Sequence, residues 1–145
     1  MFKRILVPVD GSTTSMKAIG NAIALAKAFD GVVTAIYVID PYPFAGVGSD
    51  FAYGQAQYLS AATAEADEAI KVAREQFETA GVLVESRVVE ARAPSRGILE
   101  AATACNADVI VMGSHGRRGL EKLVLGSVAQ SVLQHAHLPV LVVRD

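Results

Sequence analysis

Residues 109–132 read VIVMGSHGRRGLEKLVLGSVAQSV, and they pass from an apolar run through a glycine-rich loop into a helical pattern. The run predicts a strand buried on both faces of a parallel sheet. Gly113, Gly116 and Gly126 leave backbone without Cβ where something approaches closely or where φ turns positive. Ser127 and Gln130 stand in the S-x-x-Q relation of a capping box, which predicts a helix starting at Ser127 with its first N–H groups turned back toward the loop. An anion fits at such a helix end.

The rest of the chain repeats the same alternation. Ile5 to Val9 is a short apolar strand, with Pro8 as a mild objection. Asp10, Gly11 and Ser12 then turn into a helix carrying Met16, Ile19, Ile23 and Ala26 on one face and closing near Gly31. Val32 to Ile39 is a second strand. An irregular segment follows, then a long helix with Ala66, Ala69, Ile70, Ala73 and Phe77 on one face and Gly81 just beyond it. Val82 to Glu90 is a third strand, interrupted by Glu85, Ser86 and Arg87 and so placed at a sheet edge. Pro94 and Ser95 open a third helix that runs through Ala104. Asp108 to Met112 is the fourth strand and Pro139 to Val143 the fifth.

Five strands alternating with four helices predict an α/β fold, a five-stranded parallel sheet with helices on both faces. Of the orders 2-1-3-4-5 and 3-2-1-4-5, only the second puts the polar third strand at an edge. It also reverses the winding between strands one and four, so the crevice lies beyond Val9-Asp10 and Met112-Gly113, where the glycine loop sits.

A chain of 145 residues is read as one domain, residues 1–145. With 52% hydrophobic and 19% charged residues it is too apolar to be disordered, yet no apolar run is long enough for a membrane span. Pro8 and Asp10 interrupt any signal-peptide core, and the expected location is the cytoplasm. A net charge of −2 with mixed signs offers no basic patch for nucleic acid. Cys105 is the single cysteine, so an internal disulfide is excluded; helical spacing from Ile98, Leu99 and Ala102 makes it a small buried core residue.

The loop is not a P-loop, because no lysine stands between Gly126 and Ser127, and G-x-G-x-x-G does not follow any strand. The spacing G-x2-G-x9-G-[ST] of Gly113, Gly116, Gly126 and Ser127 resembles the nucleotide-binding signature of the universal stress protein family. LVPVDGS near the start and LPVLVV near the end match that family's first and last strands, so the resemblance covers the whole chain.

The resemblance implies an ATP-binding subgroup of Rossmann-like fold, acting as a cytoplasmic nucleotide-responsive binding and signalling module in stress response. It places ribose and phosphates on the backbone of Met112, Gly113, Gly116, Gly126, Ser127 and Val128. Adenine falls near the ends of strands one and two, against Val9 and Val38, and Pro8, His115 and Arg117 are counted among the nucleotide-binding residues. Asp10 would accept from the nucleotide or assist a Mg2+ bound with it, or else accept from the N–H groups of its own turn. Arg117, Arg118 and Lys122 could pair with phosphate oxygens, or form a solvated basic loop. His115 sits in the same loop without an evident carboxylate partner and makes a poor general base.

His135 and His137, spaced H-x-H near a helix end, read more simply as partners of the helix dipole than as metal ligands. No catalytic residue and no resident metal are assigned. The aromatic-rich segment 40–60, with Tyr42, Phe44, Phe51, Tyr53 and Tyr58, reads as a structureless insertion, either a lid or a contact surface. The fully apolar fifth strand at an edge predicts a homodimer through Pro139 to Val143. Two rival functions remain open: a slow nucleotide-hydrolysing or nucleotidyl-transferring enzyme, and a nucleotide-free dimeric interaction protein.

Overall fold

The computed structural model describes residues 1–41, 49–115 and 125–144, and of residues 49–53 the backbone alone. The elements are β1 (Arg4–Pro8), α1 (Thr13–Phe29), β2 (Val32–Ile39), α2 (Ser49–Thr79), β3 (Val84–Glu90), α3 (Pro94–Ala104), β4 (Val109–Gly113), α4 (Ser127–His135) and β5 (Val140–Val143). All strand pairs are parallel and the order is β3-β2-β1-β4-β5, as the polarity of the third strand requires.

Alternation along each strand divides the core into two layers. Ile5, Val7, Val33, Val109 and Val111 face α1 and α2, where Ile19 and Phe77 are fully buried. Leu6, Ile36, Ile110 and Met112 face α3 and α4, against Ile98 and Val132. Phe77 is the largest buried side chain of the first layer, and its removal would cost about 3–5 kcal/mol. β3 is the polar edge: Glu85 and Arg87 are exposed, and Arg74 of α2 holds the strand by donating to Ser86 Oγ at 3.0 Å while pairing with Glu78 at 3.2 Å. At the opposite end of the sheet's centre, the backbone N–H groups of Lys3 (2.9 Å) and Arg4 (3.2 Å) donate to the Asp108 carboxylate, clamping the start of β1 to the start of β4.

α1 closes near Gly31, its C-cap being Asp30, which is in the left-handed region at φ 54°. Gly31 has another task, since a Cβ there would lie 2.6 Å from the Phe2 carbonyl oxygen. Two other expectations are corrected. α2 begins at Ser49, so residues 49–60 of the supposed structureless insertion are helical. Tyr42 and Phe44 lie outside the described residues, as do the side chains of Phe51 and Tyr53. Cys105 is half-buried at the carboxyl end of α3, packed against the second layer rather than enclosed in it.

Candidate functional site at the strand ends

The winding reverses between β1 and β4, and the geometry opens there. Val9 N donates to Ile36 O at 2.8 Å, toward β2, so by alternation the nitrogen of Pro8 is on the β4 side. The β1–β4 register extends only to Leu6↔Ile110, and the missing N–H of Pro8 therefore falls where no ladder bond is made. The proline that looked like an objection to a central strand sits where the two strands part.

β4 then leads into Ser114, which is 2% exposed. Ser114 N donates to Val143 O at 2.8 Å, and Ser114 O accepts from Gly126 N at 2.7 Å. This pair of bonds fastens the residue after β4 to the residue before α4 and brings the amino end of α4 to the carboxyl ends of the central strands. Ser114 also bonds through Oγ to His115 Nδ1, at 3.1 Å. Gly116, Arg117, Arg118 and Lys122 lie outside the described residues.

Gly126 is the N-cap of α4, with extended backbone (φ −66°), and no side chain caps the helix. The capping-box expectation is thereby corrected: Ser127 is the first helical residue, and Gln130 Nε2 donates to Leu125 O at 3.1 Å. The first bond of the helix runs from Gln130 N to Gly126 O. The N–H groups of residues 127–129 thus precede any intrahelical partner, and an anion at this end would meet donors and the positive end of the dipole. A Cβ on Gly126 would lie 3.1 Å from His115 Cα and 3.2 Å from Ser114 O. A side chain at Gly126 would press on the two ends of the loop where they meet.

On the other side of the crevice, Asp10 Oδ1 accepts from Ser12 N at 2.9 Å, and Ser12 Oγ caps α1 by accepting from Ser15 N at 3.2 Å. The turn passes through Gly11 at φ 80°. Asp10 thus has the local role foreseen for it. Val9 and Val38 lie on opposite faces of the sheet: Val9 is buried with α1 and α2, and Val38 packs with the α3 and α4 layer. Of the two, Val9 can face the crevice only through its backbone. Pro8 and Val38 share a face by strand alternation. Val128 packs against the second layer, and Met112 is buried in it. Ser127 is exposed.

Two positions of this site escaped sequence reasoning. Thr14 is buried at the amino end of α1, and a Cβ on Gly113 would lie 2.8 Å from Thr14 Cγ2, so the absence of a side chain at Gly113 answers to helix packing. Ser114 had only its place in the GSHG string to mark it. Two cavities bounded by described residues lie at the other end of the sheet. One, of about 420 Å³, is lined by Arg4, Thr34, Glu85, Arg87 and Cys105; the other, of about 300 Å³, lies between the carboxyl ends of α3 and α4. Among the described residues no helix is long and apolar enough to cross a membrane.

Comparison with known proteins gives a consistent picture. Residues 1–144 match the model of the universal stress protein family. A universal stress protein of Methanocaldococcus jannaschii is 41% identical over 144 residues, which cover 99% of this chain and 83% of the relative. Among solved structures, the universal stress protein UspA from Lactobacillus plantarum superposes with a TM-score of 0.87 at 26% identity, over 99% of this chain and 98% of that one. A universal stress protein from Archaeoglobus fulgidus, solved in complex with dAMP, has the same fold, with a TM-score of 0.70 at 21% identity over 99% of this chain and 98% of that one.

Proposed function

The chain belongs to the universal stress protein family, and from that premise we propose that it is an ATP-binding member whose nucleotide occupancy biases its conformation or choice of partner. The observation that carries this reading is the Ser114 O to Gly126 N bond, 2.7 Å long, which sets the uncapped amino end of α4 beside the carboxyl ends of β1 and β4. A phosphate chain placed there meets the donors of residues 127–129, the Ser127 hydroxyl and the dipole of α4. The dAMP complex of the Archaeoglobus fulgidus protein is compatible with an adenine nucleotide.

The residues present fit such a group. Pro8 and Val38 offer an apolar face to the base, the backbone of Val9 lines the strand end, and Asp10 retains a carboxylate at the mouth of the crevice. Met112, Gly113, His115, Gly126, Ser127 and Val128 complete the proposed cradle; Gly116 and Arg117, which lie outside the described residues, are assigned to it on the sequence alone. Mg2+ would accompany the phosphates and supply charge neutralisation. Asp10 Oδ1 is taken up by Ser12 N and His115 Nδ1 by Ser114 Oγ, so neither is set as a general base, and binding is expected to outrun turnover. The same reading makes the chain a single cytoplasmic domain that pairs with a second copy through β5.

Ser127 provides the test. It is exposed at the first position of α4, so Ser127→Asp disturbs no packing and, by placing a negative charge at the helix amino end, favours the apo helix by about 0.3–1 kcal/mol. The same charge repels phosphates. Calorimetry is expected to show ATP affinity falling at least tenfold while apo stability is unchanged or higher. Full ATP affinity in the Ser127→Asp protein would remove the phosphates from this helix end.

A further inference from the structure

The cavity of about 300 Å³ between α3 and α4 is lined by both His135 and His137, together with Asn106, Thr103, Leu99 and Leu138. His135 Nδ1 lies 2.9 Å from Ser131 O. A carbonyl oxygen can only accept, so Nδ1 carries the proton, and in the neutral ring Nε2 holds the free lone pair. Fixing one imidazole nitrogen on a backbone carbonyl is how proteins orient a histidine that binds metal through the other.

The electrostatics of the place agree. α3 ends at Ala104 and α4 at His135, and the cavity takes its walls from both ends, so two helix carboxyl termini direct negative partial charge toward it. That field favours a cation. No carboxylate is among the lining residues, which disfavours Mg2+ and Ca2+, cations that seek oxygen. Imidazole suits zinc, nickel and copper.

We propose that His135 and His137 form an open site for a divalent transition-metal ion, with the Asn106 amide as a neighbouring oxygen donor and water in the remaining positions. No group of three or more histidine, cysteine, aspartate or glutamate side chains converges among the described residues. His135 and His137 are both exposed, so the proposed site has two protein nitrogens and is open to solvent, unlike the closed four-ligand sites that hold structural zinc. It lies at the amino ends of the strands, across the sheet from the nucleotide crevice, and does not depend on the nucleotide reading.

The test uses the full chain, freed of metal by chelation and titrated calorimetrically with Zn2+ alone. One equivalent is expected to bind. His135→Ala and His137→Ala should each weaken it at least about tenfold, the loss that removal of even an outer-shell partner can cause. Cys105→Ser should leave it intact, and excess Mg2+ should not compete. Circular dichroism of each variant establishes that it is folded. The imidazole ¹⁵N spectrum of the unsubstituted protein answers the same question without a mutation: Zn2+ should shift Nε2 of His135 and leave its Nδ1 protonated. Absence of Zn2+ binding, binding that survives both histidine substitutions, or shifts confined to His115 would each overturn the proposal.

Discussion

A methyl group at position 113 would sit 2.8 Å from Thr14 Cγ2, 3.0 Å from Thr14 Cβ and 3.1 Å from its carbonyl carbon. Two of those atoms belong to the stiff part of a buried residue, so α1 would have to move off β4. Gly113→Ala is expected to lower stability by about 1–3 kcal/mol, measured by urea unfolding, whether or not nucleotide is present. Gly20 is the counter-example, exposed in the middle of α1 with nothing within 4 Å of an added Cβ. Gly20→Ala should therefore raise stability by about 0.5–1 kcal/mol in the same assay, because the flexible unfolded chain is restricted while the helix is undisturbed. The two substitutions are chemically identical and opposite in sign, and only the surroundings distinguish them.

At the level of elements, β5 is an edge strand whose four residues, VLVV, are all apolar. Val140 and Val142 pack inward on the α3 and α4 layer and Val143 on the other, whereas Leu141 is 39% exposed. Leu141→Lys is thus a sharper probe of the proposed dimer than a change at Val142, which would also damage the chain's own core. Sedimentation is expected to show a dimer that this substitution converts to monomer; a wild-type monomer at micromolar concentration would refute pairing through β5.

Strand order was legible because Glu85, Ser86 and Arg87 could occupy only an edge, and the four helices announced themselves by spacing or by Pro94. The start of α2 was not. Gly54 and the clustered aromatics concealed a stretch rich in alanine, and alanine's helix propensity prevailed without a clean apolar stripe. In the candidate site, the glycine spacing gave no sign of the packing that these positions also serve: Gly113 makes room for Thr14, and Gly126 lies close to Ser114 and His115. Contacts between residues a hundred positions apart leave no periodic trace in a sequence. Nor does any pattern in the chain distinguish the two faces on which Val9 and Val38 lie until strand register is known.

For the molecule as a whole, nucleotide binding and stability are linked, because a ligand taken up only by the folded chain stabilises it. ATP at a hundred times its Kd should add about 2.7 kcal/mol, seen as a rise in Tm that Ser127→Asp largely abolishes. Turnover should stay below the roughly 1 per second of slow kinases. The clamp of Lys3 and Arg4 on Asp108 bears on a different matter, the order in which the protein is made. It joins positions 105 and 104 residues apart, and β4 fits between strands at the two ends of the chain. At about 5–20 residues per second, a ribosome needs roughly 5 to 20 seconds to supply Asp108 after Arg4 has been joined. Throughout that interval β1, the middle strand of the finished sheet, has one bare apolar edge, and a nascent chain arrested before residue 108 is a natural client for a chaperone at the tunnel exit.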